Sequence, residues 1–202
     1  MPRLLLATNN PGKLEELRAL LRDLPIRLTD PNDLELAQEV EEDGADYAAN
    51  ATLKAVAFAR TSGLWTLADD TGLEVAALGG APGLHSRRVA ASDPERRQRL
   101  LGLLAPFPPP WTATFRCAVA LASPDETVVV AHGACPGEIL PVPRGAGGFG
   151  YDPLFLVART TKTMAELSLE EKNRLSHRAR AVRSLIPAIV RALTPSPSRS
   201  SL

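Results

Sequence analysis

Four groups of residues in this 202-residue chain have the types and spacing to do chemistry. The first is Thr8-Asn9-Asn10-Pro11-Gly12-Lys13. A polar loop that opens a helix presents unsatisfied backbone N–H groups and the positive end of the helix dipole to an anion. Lys13 adds a point charge, and Gly12 permits close backbone approach. The stretch lacks the G-x-x-x-x-G-K-[ST] spacing of a P-loop. Taken alone, it also suits a plain strand-to-helix turn with a solvated lysine. The second group is Asp69-Asp70-Thr71-Gly72, with the acidic run Glu41-Glu42-Asp43. Adjacent carboxylates are unfavourable unless a cation or a donor compensates them, and hard oxygens are what Mg²⁺ prefers. Side chains alternate along a strand, so only one of Asp69 and Asp70 is expected to face a ligand. The competing reading is a turn followed by solvent, with the glutamates as a solvated run.

The third group is Gly147-Gly148-Phe149-Gly150-Tyr151-Asp152. Glycines around a phenylalanine leave its ring room to lie on a nucleobase, a contact worth about 1–3 kcal/mol. A hairpin loop with Phe149 in the core would produce the same pattern. The fourth is Lys172, Ser176, His177 and Arg178. Lys172 can hold phosphate, while His177 and Arg178 can donate to carbonyl oxygens. An ordinary amphipathic helix with outward charges is the alternative. Asp70-Thr71-Gly72 also matches the aspartic-protease signature. That chemistry requires a second carboxylate sharing a proton, from a second motif or a dimer mate. There is no second motif here, and the chain is rich in helical patterns.

The elements that must position these groups follow from periodicity. Arg3 to Ala7 reads as a buried strand and Lys13 to Leu21 as a helix with Leu14, Leu17, Leu20 and Leu21 on one stripe. Tyr47, Ala51, Ala55 and Phe58 recur at helical spacing from about Asp46 to Ser62. Trp65 to Ala68 reads as a strand that stops at Asp69, with extended structure resuming from Leu73. Asp93 is expected to cap a helix carrying Leu100, Leu101, Leu103 and Leu104. Alternation from Ala113 to Leu121, then Ser123-Pro124-Asp125-Glu126 and Thr127 to Ala131, predicts an antiparallel hairpin. Ser168 to Glu171 spells a capping box. A helix is then predicted from about Leu175 to Leu193, kinked or divided at Pro187. Residues 1–193 are read as one α/β domain with a mixed sheet, and the Ser/Pro-rich stretch 194–202 as a disordered tail.

Composition narrows the function classes. Lys plus Arg and Asp plus Glu are 23 each, so the net charge is zero. A nucleic-acid-binding protein would carry a basic excess, whereas a local cluster suffices for a small anion. No apolar run approaches a membrane span and no secretory signal is seen, so a cytoplasmic protein is expected. Cys117 and Cys135 have no zinc spacing and are read as reduced thiols, Cys117 in a core strand.

Together and in this order, the four groups resemble the inosine triphosphate pyrophosphatase family of house-cleaning nucleotide hydrolases. The matching stretches are Ala7 to Glu16, Asn50 to Ala55, Ala68 to Leu73, Leu78 to Gly83, Gly148 to Pro153, Glu171 to Asn173 and Ser176 to Arg178. The chain departs from the family pattern at Asp43, Asp46-Tyr47, Ala49, Thr71 and Arg87. Thr71 keeps the hydroxyl of a common serine. The resemblance implies two α/β lobes around a long mixed sheet with a central substrate cleft, and a homodimer. It implies hydrolysis of non-standard purine nucleoside triphosphates, such as ITP, dITP and XTP, to monophosphate and pyrophosphate. Residues Thr8, Asn9, Asn10, Pro11, Gly12 and Lys13, with Lys172, would hold phosphates. Glu41 and Asp70 would hold Mg²⁺, and Asp70 would also orient or deprotonate the attacking water. Thr71, Gly150 and Tyr151 would line the substrate site. Phe149 would stack on the base, and Asp152, His177 and Arg178 would help position and read it. The alternatives are a pyrophosphatase for modified pyrimidine or standard deoxynucleotides, and a nucleotide-binding protein without turnover.

Overall fold

The computed structural model of the chain describes residues 1–193. The expected tail, 194–202, lies outside the described residues. The elements are β1 (Arg3–Leu6), α1 (Pro11–Leu21), β2 (Arg27–Thr29), α2 (Tyr47–Ser62), β3 (Trp65–Val75), β4 (Pro82–Gly83), α3 (Asp93–Leu104), β5 (Trp111–Ala122), β6 (Val128–Ile139), β7 (Phe155–Val157), α4 (Leu169–Leu175) and α5 (His177–Leu193). They form the mixed α/β architecture anticipated from the pattern. Seven strands make one sheet in the order β2-β1-β3-β5-β6-β7, with β4 paired to β3. β1 runs parallel to both β2 and β3, while β4 lies antiparallel to β3 and β7 antiparallel to β6. β5 and β6 are neighbours joined only by residues 123–127, a link that permits only an antiparallel hairpin.

The chain folds into two compact units. Among the described residues, one comprises Met1–Asp69, Val119–Ala131 and residues 182–193; the other comprises Asp70–Ala118 and His132–Ala181. In the first, Leu4, Leu5 and Leu6 of β1 are buried with Leu17 and Leu21 of α1 and Ala51, Ala55, Phe58 and Ala59 of α2. The predicted stripes are therefore the buried faces. The second has its own cluster, including Leu73, Leu100, Leu104, Trp111, Phe115, Phe155 and Met164. Within it the Phe115 and Phe155 rings tilt against each other at 4.5 Å between centroids. Cys117 and Cys135 are both buried thiols, Cys117 in β5 as read from sequence.

Three local expectations are corrected, and one strand was not anticipated. β3 does not stop at Asp69 but runs through Asp69, Asp70 and Thr71 to Val75. Both aspartates are buried, so the strand continues because their charges find partners inside the protein, as described below. The cap of α3 is Ser92, not Asp93: its side chain accepts from the Glu95 N–H while Glu95 reaches back, leaving Asp93 inside the first turn. The C-terminal helix starts at His177, close to the predicted Leu175, but Pro187 does not divide it and sits within a continuous α5. Ser176 accepts the Ala179 N–H on its hydroxyl and the Arg180 N–H on its carbonyl, so it ends α4 and caps α5. Finally, β2 at Arg27–Thr29 was not anticipated, because three residues give too short a pattern to read.

Candidate functional site

In the first unit, the loop after β1 is organised by Asn10. Its side chain accepts the Lys13 N–H at 3.1 Å, and its own N–H donates to Thr8 Oγ1 at 3.2 Å. Pro11 stands in the first turn of α1, where a missing N–H costs nothing. That first turn carries no carboxylate, so the positive helix end meets no internal anion on its own helix. Thr8 to Lys13 thus form a capped helix start, as the phosphate-binding reading requires.

The Lys13 ammonium does not sit in open solvent. Its Nζ lies 3.0 Å from Asp69 Oδ2, a carboxylate whose side chain is 0% exposed. This pairing compensates one of the two adjacent carboxylates. Asp69 points to Lys13. Asp70, next along β3, is 7% exposed and accepts the Thr71 N–H at 2.9 Å on Oδ1. A second lysine was missed in the sequence reading of the site. Lys54 of α2 donates to the Asp69 carbonyl at 3.2 Å and pairs with Glu42. The available signal was its position: Asn50, Lys54 and Phe58 share one helical face, and Asn50 and Phe58 are buried. A lysine on a buried stripe is there to meet a charge. Of the two candidate glutamates, the one brought to this group is Glu42; Glu41 is exposed. Two departures from the family pattern fall nearby. Asp46 caps α2 by accepting the Ala49 N–H at 2.8 Å, a role threonine fills equally well. Asp43 is exposed.

In the second unit, the glycine-rich loop is built around Asp152. Asp152 Oδ2 accepts the Phe149 N–H at 3.0 Å and pairs with Lys172 Nζ at 2.6 Å, with both side chains less than a tenth exposed. Gly148 has φ +69°, and a Cβ there would lie 2.1 Å from Asp152 Oδ2, so only glycine fits. The Phe149 ring carries two cations near it: Lys172 Nζ at 4.9 Å and Arg178 Cζ at 5.7 Å from its centroid. Phe149 is half-buried, so it is not the core residue of the competing reading.

His177 and Arg178 are the first two residues of α5 after the Ser176 cap, and both are buried. Arg178 Nη2 donates to Thr71 Oγ1 at 3.3 Å, which gives the retained hydroxyl of Thr71 a use. The His177 ring stacks on Phe115, 4.7 Å between centroids and 15° between planes. β6 admits this helix start through Gly133, where a Cβ would lie 2.0 Å from the His177 carbonyl oxygen. Tyr151 falls differently. Its ring belongs to the core, its hydroxyl donates to the Ser86 carbonyl at 2.9 Å, and burial pushes the phenol up to about 12. Its side chain is an anchor for the loop, and any ligand contact at this position is left to the backbone.

The arrangement holds two kinds of chemistry: a capped helix start beside lysine–carboxylate pairs, suited to anions, and an aromatic ring ringed by buried donors, suited to a flat polar base. Among the described residues no helix is long and apolar enough to cross a membrane. The chain is 50% identical over 184 residues to the dITP/XTP pyrophosphatase of Gloeobacter violaceus, covering 91% of this chain and 92% of that one. It is 44% identical over 199 residues to the dITP/XTP pyrophosphatase of Parasynechococcus marenigrum, covering 98% and 100%. Among solved structures, a HAM1 protein from Coxiella burnetii superimposes with a TM-score of 0.84 at 40% identity, covering 95% of this chain and all of that one. The family model described as the Ham1 family matches residues 4–188, a span that includes every site residue named above, and the chain belongs to that family.

Proposed function

We propose that this protein hydrolyses non-standard purine nucleoside triphosphates, the ITP, dITP and XTP class, to the monophosphate and pyrophosphate. The observation that carries the reading is the near full-length identity to two proteins named dITP/XTP pyrophosphatase. The site residues support it. Thr8 to Lys13 offer amides and a cation to a polyphosphate, and Lys172 offers another cation. Asp70 is the carboxylate assigned to the attacking water: it accepts a hydrogen bond from the water and draws its proton as the water oxygen bonds to the α-phosphorus and the bond to the β-phosphate bridge breaks. Phe149 stacks on the base. His177 and Arg178 donate to the carbonyl at purine position 6. Adenine carries an amino group there, and each buried donor left facing it costs about 1–3 kcal/mol.

We further assign Mg²⁺ to Asp70 and Glu41. The donor set fits a hard cation: Asp70 is a buried carboxylate whose neighbour Asp69 already has a lysine, and hard oxygens are the ligands available. Among the described residues no three His, Cys, Asp or Glu side chains are grouped as a cage. Mg²⁺ suits so sparse a set, since it takes phosphate oxygens and keeps water. When bound it offsets charge on the phosphates and leaving pyrophosphate. Because Glu42 is engaged by Lys54, Glu41→Gln is expected to raise the Mg²⁺ requirement more than Glu42→Gln. The opposite order would move the ligand to Glu42. The protein is also proposed to be a cytoplasmic homodimer, which light scattering on the purified chain checks for the oligomer.

The deciding experiment is a panel of ITP, dITP, XTP, GTP, ATP, standard deoxynucleotides and modified pyrimidine nucleotides, with pyrophosphate and orthophosphate measured separately. Pyrophosphate from ITP and XTP, with ATP slower by about 10³-fold, is the expected result. Orthophosphate as first product, preference for pyrimidines, or binding without turnover would each replace the reading with one of its alternatives.

A further inference from the structure

The turn that carries Phe149 is held partly from outside the family-like stretches, by Asp93 and Arg97. Two backbone N–H groups flank the Phe149 Cα, and each donates to a carboxylate. The Phe149 N–H goes to Asp152 Oδ2 at 3.0 Å, and the Gly150 N–H goes to Asp93 Oδ2 at 2.7 Å. The Gly150 carbonyl accepts from Arg97 Nη1 at 2.8 Å. Asp93 and Arg97 both belong to the first turns of α3. Each carboxylate is backed by its own cation: Lys172 on Asp152, and Arg96 on Asp93. Arg96 is fixed in turn, donating to the Ala90 carbonyl at 2.9 Å and the Ala91 carbonyl at 3.1 Å.

The turn has other ties, from the Asp152 N–H to the Phe149 carbonyl and from the Gly147 N–H to the Ala165 carbonyl, both at 3.1 Å, but neither reaches Gly150. Gly150 has φ +60°, and a Cβ placed there would meet nothing within 4 Å, so the left-handed backbone rather than crowding favours glycine here. With Gly145, Gly147 and Gly148 in the same loop, the backbone has unusual freedom to lose. Nor does α3 need Asp93 for its own start, because Ser92 and Glu95 already cap it.

We propose that Asp93 and Arg97 are positioning residues for base recognition: they clamp Gly150 from both sides and so present the Phe149 ring in one orientation. This rests on the reading that Phe149 stacks on the base. A loosened ring weakens binding and blurs the choice of base, while the phosphate chemistry proceeds once substrate is seated.

The test measures KM and kcat for ITP and ATP, with melting temperature, in five variants. Asp93→Ala is expected to raise KM for ITP about tenfold, with kcat within about threefold of wild type and a reduced ITP/ATP preference. Asp93→Asn keeps an oxygen for the Gly150 N–H and should restore most of the KM. Arg97→Ala removes the other grip without touching the helix start, and should shift KM in the same direction but less. Glu95→Ala breaks the capping box at the same terminus while leaving Gly150 alone, and should leave KM and preference unchanged. An unchanged KM in both Asp93→Ala and Arg97→Ala overturns the proposal. So does a Glu95→Ala variant that behaves like Asp93→Ala, because fraying of α3 would then explain both. Phe149→Ala separates the two layers. If it raises KM while the clamp variants do not, positioning alone is wrong; if it leaves KM unchanged, the stacking reading falls and this proposal with it.

Discussion

The two units carry charge in different ways. In the first, Lys13 and Lys54 lie on separate helices and share one strand residue: Lys13 meets the Asp69 carboxylate and Lys54 meets its carbonyl. Lys54 also reaches Glu42, which lies in a loop with no regular structure and keeps 30% of its side chain exposed. In the second, the Lys172–Asp152 pair is 7% and 6% exposed and is locked to a backbone N–H and an aromatic ring. The difference fits the proposed division between phosphate and base, with Lys172 serving both through its assigned phosphate contact and its place beside Phe149. Polyphosphate is mobile and strongly charged, so groups that exchange one anion for another suit it. A base is recognised by shape and by a few hydrogen bonds, so its readers must be held still before it arrives. In the first region Lys54–Glu42 is partly exposed and Lys13–Asp69 is fully buried only on the acid's side, whereas in the second both partners are buried.

The largest expected effect tests whether Asp69 and Asp70, adjacent in sequence, are divided between structure and chemistry. Asp70→Asn keeps the size and one oxygen, so the Thr71 N–H still finds an acceptor. Turnover should fall by about 10³-fold or more, because the carboxylate that takes the water proton is gone. Thermal unfolding should stay close to wild type. Asp69→Asn should do the reverse: it strips the charge that holds Lys13 and lowers stability. Equal losses of turnover at equal stability would erase the division.

A second test compares the pairs directly. Lys172→Met leaves Asp152 buried without its lysine and should lower unfolding stability by about 3–5 kcal/mol. Lys54→Met releases a partly exposed glutamate and the Asp69 carbonyl and should cost less, about 1–2 kcal/mol. Urea unfolding of the two variants reads the contrast. Adding Asp152→Asn to Lys172→Met should recover part of the loss, since the stranded charge is removed. Similar values for both lysines would mean that burial does not separate the regions.

Much of this was legible in the sequence, for reasons that can be named. Helix stripes and the β5–β6 hairpin are local patterns, and the structure buries most of them as read, Leu17, Leu21, Leu100 and Leu104 included, though Leu103 of the predicted α3 stripe is exposed. The aspartates in β3 were misread because two acids at a strand end look like a turn; the compensating lysine is 56 positions away (69 − 13) and enters by tertiary contact. Pro187 does not divide α5, and the start of that helix was placed near Leu175 without naming Ser176, which has the side chain of a cap, as the residue that sets it. Phe149, Lys172 and Arg178 were named together from motif likeness, and the structure gathers them around one ring. Lys54 and Asp93 were visible as types but not as roles. Each acts on a backbone group distant in sequence, Lys54 on the Asp69 carbonyl and Asp93 on the Gly150 N–H, and such contacts leave no periodic trace.

The smallest effect concerns the helix that carries Lys172. α4 starts with a capping box in which Glu171 accepts the Ser168 N–H at 2.8 Å. The hydrogen bond from Lys162 to Glu171, together with the Ser168 N–H, brings the Glu171 carboxyl down from its ordinary 4.5 to about 2. A lowered folded value means the unfolded chain binds the proton more readily. The contribution is therefore complete above about pH 4.5 and is lost as pH falls from there towards 2. Glu171→Gln separates charge from capping, because glutamine can still accept the Ser168 N–H but cannot titrate. Asp33, Asp125 and Glu166 also have lowered carboxyls, but they titrate in both proteins and drop out of the difference. The melting temperatures of wild type and variant should run parallel above pH 5, with wild type slightly higher. Below pH 4.5 the wild-type curve should fall faster and the two should converge towards pH 2. The effect is small because Glu171 is at the surface, where water and salt screen the Lys162 pair. If the gap stayed constant down to pH 2.5, the box would be working through capping geometry alone, and the charge at the start of α4 would add nothing to holding Lys172 in place.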